Sequence, residues 1–363
     1  MVPFFYGRSS LAPPADLRIS GQWNCQVSTA FSALMFRIDR GDRYTMAMLH
    51  NIALTAESWF DRLTASDEDD AVTLDPYMGY TTSEAAVLRG RVLAITATSD
   101  LKTLISRQGT VGARVMSFLT NDAGGVEIEC GSHKTTSDEE GYFRLEVPHE
   151  VVQDGTVDVT VPRTGETFEL EVASSSPSAS RMVISDIDDT VIKTGAWQKL
   201  QNFWRTMTTG VDQREVFQDT VDLIRRRMDG GNPVFYVSSS PWNLHDYLGQ
   251  VFKAGGVPKG PMFLKDFGID DAKFIKTSHG NHKGERIDEL LDAHPGLGVT
   301  LIGDTGQHDG QVYLDAIKRH PERIREVFLR QAGSLSAEDQ SIADEIRATG
   351  VIFYSGERFG DDL

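Results

Sequence analysis

The stretch Met182-Val183-Ile184-Ser185-Asp186-Ile187-Asp188-Asp189-Thr190 carries the reading of the whole C-terminal half of the chain. Its opening apolar run, with no polar alternation, reads as a strand buried on both faces, as in a parallel sheet. The run ends abruptly in carboxylates. In an open parallel sheet ligands sit at the carboxyl ends of the strands, so Asp186 and Asp188 emerge where a site is built. Extended alternation puts the two on the same side. One carboxylate of such a pair can attack phosphorus while the other handles a proton. Acidic loops after strands also cap helices, so this motif alone leaves both readings open.

Three further strand ends follow. Val234–Ser238 is an apolar run leading into Ser238-Ser239-Ser240-Pro241-Trp242, where a hydroxyl and neighbouring backbone N–H groups can hold a phosphoryl oxygen. Ser238, with Ser239 beside it, is the candidate phosphate holder, and a helix N-cap is the plainer reading of a lone serine. Lys283 stands at the start of a helix patterned by Ile287, Leu290 and Leu291. A lysine there is disfavoured by the helix dipole unless an anion offsets it. Finally Val299–Ile302 runs into Gly303-Asp304-Thr305-Gly306-Gln307-His308-Asp309. Mg²⁺ favours oxygen ligands and usually takes one or two carboxylates with waters and a substrate phosphate, so Asp304 and Asp309 can join Asp186 and the Asp188 backbone carbonyl around it.

Upstream, apolar positions from Ser28 to Leu63 fall at helical spacing, and the acidic Ser66–Asp70 stretch with Pro76–Gly79 closes a helical N-terminal region over 1–84. From 85 to 173 the texture changes to short alternating segments. Val87–Thr96, Gly112–Leu119, Gly125–Cys130, Gly141–Val147 and Thr156–Val161 suggest an immunoglobulin-like β-sandwich. The serine-rich residues 174–180 read as a linker. Beyond it, apolar strands including Met262–Leu264 alternate with amphipathic segments through 181–363, which implies a multidomain α/β chain whose C-terminal part is a parallel sheet covered by helices.

The chain has 363 residues, 40% hydrophobic and 25% charged, the composition of a folded protein with room for more than one core. Its net charge of −17 argues against nucleic acid as a partner and against non-specific attraction to anionic membranes. Two cysteines, Cys25 and Cys130, are too few for a disulfide framework. The start lacks an uninterrupted apolar core behind a basic end, and no stretch reaches the roughly 18 apolar residues of a membrane span, so a cytoplasmic protein is expected, peripheral to a membrane if its substrate is a lipid.

Asp-x-Asp-x-Thr over Asp186–Thr190, the strand-end Ser238, Lys283 and Gly-Asp-x₄-Asp ending at Asp309 resemble the four motifs of the haloacid dehalogenase superfamily. The fuller strings SDIDDTVIKTG, SSSPWNL, His282-Lys283 and IGDTGQHD look like the catalytic domain of the actin-patch phosphatidate phosphatase family, and PYMGY and RGRVL resemble its N-terminal part. The resemblance implies a Rossmann-like domain over 181–363 and hydrolysis of phosphatidate to diacylglycerol with Mg²⁺. It gives Asp186 the role of nucleophile and Asp188 that of general acid and base. Ser238, Ser239, Lys283 and Thr190 then serve the substrate phosphate, and Asp186, Asp188, Asp304 and Asp309 the metal. From Lys193 to Asn232 there is too little chain for a large cap; Trp197, Phe203, Trp204 and Met207 there either pack a small flap or touch acyl chains. Two other functions stay open: a phosphatase of soluble phosphoesters or phosphoproteins, and a scaffold with a vestigial catalytic half.

Overall fold

Alternate residues of the strand Arg181–Ser185 enter different cores: Met182 and Ile184 pack on one side of the sheet and Val183 on the other. The same division holds for Phe235 against Tyr236 and for Leu301 against Ile302. A sheet buried on both faces is the physical consequence of continuous apolar strands.

The computed structural model describes residues 71–95, 123–193, 215–265, 279–306, 308–331, 333–360 and 363. The expected helices over 28–63, the strand over 112–119 and the segment with Trp197, Phe203, Trp204 and Met207 lie outside the described residues.

The first lobe is a seven-stranded sheet of β1 (Ala71–Thr81), β2 (Ala86–Ile95), β3 (Glu127–Cys130), β4 (His133–Thr136), β5 (Tyr142–Val147), β6 (Thr156–Val161) and β7 (Glu166–Ala173), in the order β4-β3-β6-β7-β1-β2-β5. Side chains alternate inward and outward, as in β5 and β6. Ile128 near one edge and Leu145 at the other enter a single apolar core, so the sheet wraps around it.

The expected boundary at residue 84 is corrected here. Ala71–Thr81 is a strand, antiparallel to β2, and Pro76–Gly79 lies within it rather than closing a helical region. The register shifts between Tyr77 and Tyr80, so the Pro/Gly pair marks a bulge.

In the second lobe, β8 (Arg181–Ser185), α1 (Gln218–Met228), β9 (Val234–Pro241), α2 (His245–Gly255), β10 (Met262–Lys265), α3 (His279–Ala293), β11 (Gly298–Asp304), α4 (Asp309–Arg319), β12 (Ile324–Arg330), α5 (Ala337–Ala348) and β13 (Ile352–Gly356) follow one another. The strands are all parallel, in the order β10-β9-β8-β11-β12-β13. Helices α1 and α2 cover one face and α3, α4 and α5 the other. Strand order reverses between β8 and β11, and a crevice forms at such a point outside the carboxyl ends.

The residues expected as a linker are docked: Ser176 N–H donates to Gly231 O and Ser178 Oγ to Gly230 O. The lobes also share apolar surface, since Tyr80 and Val87 of the first belong to the core beneath α3 and α4.

Candidate active site

The carboxyl ends of β8 and β11 bring together Asp186, Asp304 and Asp309, each with an oxygen within 4.8 Å of the others. All three are buried. β8 ends at Ser185 and the chain then turns, with Asp189 at φ 56°, so Asp186 and Asp188 are presented by a tight turn rather than by the expected extended alternation. Val191 N–H and Ile192 N–H both donate to Ile187 O and close that turn.

Lys283 enters from α3, one turn before Ile287 on the same buried face. Its Nζ lies 2.8 Å from Asp186 Oδ1 and 2.5 Å from Asp309 Oδ1. Burial lowers its pKa, and the two carboxylates outweigh that and raise it. Thr190 Oγ1 donates to the other Asp186 oxygen at 3.1 Å. Thr190 and Lys283, both read as phosphate holders, thus hold Asp186 directly.

Asp188 is held separately. Its Oδ2 accepts Ser238 Oγ at 2.8 Å and Ser240 Oγ at 2.5 Å. Ser238 Oγ in turn accepts Ser240 N–H at 2.8 Å, so this hydroxyl orients the second carboxylate, and Ser239 is half-buried beside it. Sequence reasoning passed over Ser240, although it stands in the same serine run. It also missed Tyr313, whose hydroxyl donates to Ile302 O at 2.9 Å. Tyr313 sits four residues after Asp309, on the same face of α4, and that spacing could have found it.

Three carboxylates against one lysine leave an excess of negative charge in a buried place. Burial, reinforced by Asp309 and Asp186, pushes Asp304 up to about 9. Burial raises Asp186 to about 8 even though Lys283 pulls the other way, with Asp309 and Asp188 adding to the rise. Asp304 Oδ2 accepts Gly306 N–H at 2.8 Å, whereas Asp304 Oδ1 is buried without a partner. A buried orphan oxygen among clustered carboxylates fits a hard divalent cation with oxygen ligands. Asp186, Asp304 and Asp309 would hold it; the Asp188 carboxylate is not part of that cluster.

Residues 181–331 match the family described as phosphatidate phosphatase APP1, catalytic domain. This segment belongs to that catalytic-domain family. Every site residue named above falls inside it. Phosphatidate phosphatase APP1 of Saccharomyces cerevisiae is 30% identical over 170 residues, covering 45% of this chain and 29% of that protein. An uncharacterized protein of Schizosaccharomyces pombe is 27% identical over 208 residues, covering 54% of this chain and 34% of that one. The chain thus spans about a third of the length of the curated relatives it matches. A chain from a structure of a Pnkp1/Rnl/Hen1 complex, with 14% identity and a TM-score of 0.32 over 47% of this chain and 55% of that chain, is too distant to carry weight.

Proposed function

We propose that the chain is a Mg²⁺-dependent phosphoric monoester hydrolase of haloacid dehalogenase type, with phosphatidate as its substrate and an aspartyl-phosphate on Asp186 as its intermediate. The observation that carries the reading is the division of labour between the carboxylates. Asp186 is pinned through both oxygens by Lys283 and Thr190, and Asp188 is held apart from them by two serine hydroxyls.

An Asp186 oxygen attacks phosphorus and the ester P–O bond breaks. Asp188 gives its proton to the leaving oxygen, then takes one from the water that attacks the acyl phosphate and releases inorganic phosphate. Lys283 offsets charge on Asp186 throughout. Bound Mg²⁺ supplies Lewis-acid stabilisation of the phosphoryl oxygens. Phosphatidate is favoured by the name of the yeast relative, and a cytoplasmic enzyme meeting membranes at their surface accords with it. Among the described residues no helix is long and apolar enough to cross a membrane.

A soluble phosphoester is the second reading. Ile352 is the one large hydrophobic side chain standing exposed among the described residues, a sparse apolar surface for a lipid enzyme. The test is phosphate release from phosphatidate in mixed micelles and from sugar phosphates, with and without Mg²⁺, beside Asp186→Asn. Metal-dependent release that is lost in an intact, folded Asp186→Asn protein is expected. Full activity in the variant would remove the mechanism, and release from the soluble esters alone would remove the lipid.

A further inference from the structure

A cavity of about 470 Å³ opens where the two lobes meet, lined by Tyr77, Arg89 and Tyr142 of the first lobe and by Trp242, Lys265 and Arg286 of the second, among others. It lies at the same end of the parallel sheet as the carboxylates. Trp242 follows closely on the Ser238–Ser240 run that holds Asp188, Lys265 pairs with Pro241 at the ends of β10 and β9, and His282, next to Lys283, adds to the wall.

The polar atoms of this cavity are the unusual part. Arg89 is backed by the Phe263 ring, 4.1 Å from guanidinium carbon to centroid, and its Nη2 makes one long bond of 3.4 Å to Met262 O. Its Nη1 is buried with no partner. Arg286 bonds Glu289 through Nη1 at 2.5 Å, yet its Nε is also buried and unpartnered. The Tyr77 ring stacks on His245 at 4.1 Å and the residue is 6% exposed, and its hydroxyl is a third buried group without a partner. Glu289, three residues after Arg286 on α3, is already engaged by Arg286 and by Tyr80 at 3.2 Å. Three acids stand on the wall: Asp138 accepts the backbone amides of Glu140 and Tyr142 in its own turn, Glu285 faces solvent, and Glu140 is half-buried and already engaged. Buried donors left unmet are costly, and a guanidinium especially so.

Donors without acceptors, contributed by both lobes to one cavity, define the missing partner as an acceptor-rich anion. We propose that the inter-lobe cavity is an oxyanion-binding site, in which Arg89, Arg286 and Tyr77 receive a phosphate or carboxylate beside the catalytic carboxylates. The anion is either a second charged group of the ester being hydrolysed, a source that rests on the hydrolase reading above, or a free anion such as inorganic phosphate. Either way the first lobe becomes part of the recognition machinery.

Calorimetric titration of the full chain with pyrophosphate tests the site without turnover. Arg89→Met and Tyr77→Phe should each weaken binding by about tenfold or more, or lose one equivalent bound, the second variant removing only a hydroxyl from an otherwise preserved ring. Unchanged stoichiometry and affinity in both would overturn the proposal. The source is read from the KM for glucose 1,6-bisphosphate relative to that for glucose 1-phosphate. A ratio that rises about tenfold in Arg89→Met assigns the site to the substrate, and an unchanged ratio with weakened pyrophosphate binding assigns it to a free anion. Wild-type protein that binds pyrophosphate through Arg89 and hydrolyses no ester would remove the hydrolase reading and leave the site standing.

Discussion

Asp75 shows at the scale of one residue how burial sets protonation. It lies in β1 near Asp246 and His245, and burial, reinforced by Asp246, raises its carboxyl from 3.8 to about 6 despite Arg91 and His245. The folded protein therefore prefers the protonated form. Its contribution to stability is full below about pH 4 and is lost as pH rises through about 6. Asp75→Asn should be neutral near pH 4 and stabilising by on the order of 2 kcal/mol at pH 7.5, measured by denaturant unfolding at both pH values. Equal stability at pH 7.5 would contradict the assignment. The clustered aspartates Asp186 and Asp304 obey the same electrostatics, with Lys283 and the proposed cation as the compensating charges.

At the scale of the element, strand β11 and helix α4 meet too closely for any side chain at position 303. A Cβ on Gly303 would stand 2.5 Å from Asp309 Oδ2 and 2.6 Å from the Tyr313 hydroxyl. Asp309 Oδ2 also accepts the Asp304 N–H at 3.2 Å, so a displaced Asp309 disturbs two site carboxylates together. Gly303→Ala should cost about 1–3 kcal/mol of stability from overpacking and lower kcat by at least about tenfold. Thermal unfolding and phosphate-release kinetics on one preparation check both, and an unaltered kcat would show that Asp309 tolerates displacement. The same close approach explains a motif that sequence shows only as Gly-Asp followed five residues later by Asp.

At the scale of the molecule, Tyr80 ties the lobes together. It is 1% exposed, packs edge-on to Phe235 at 5.9 Å and donates to Glu289, both of the other lobe. His294, at the end of α3, reaches back with Nε2 2.8 Å from Thr81 O. Tyr80→Ala should lower the unfolding midpoint of the catalytic lobe, at a cost of about 3–5 kcal/mol, although Tyr80 belongs to the first lobe. Differential scanning calorimetry reads this directly, and a catalytic-lobe transition left in place would show that the lobes unfold independently.

What the sequence by itself determined is the parallel sheet and its strand-end carboxylates. Runs such as Met182–Ile184 and Val299–Ile302 are mostly apolar, as a strand covered on both faces requires, and the carboxylates that follow them stand where an open parallel sheet builds a site. It did not reveal β12 and β13, whose charged and polar interruptions blur the pattern, or β1, because Pro76 and Gly79 signal a turn locally while the pairing with β2 makes them a bulge. The tertiary structure alone decided that Lys283 and Thr190 hold Asp186, that Ser238 and Ser240 hold Asp188, and that Arg89, Tyr77 and Arg286 share a cavity. Those partners come from elements far apart in the chain. Hydrogen bonds and buried charge depend on distance and dielectric environment, and neither can be read from spacing along the chain.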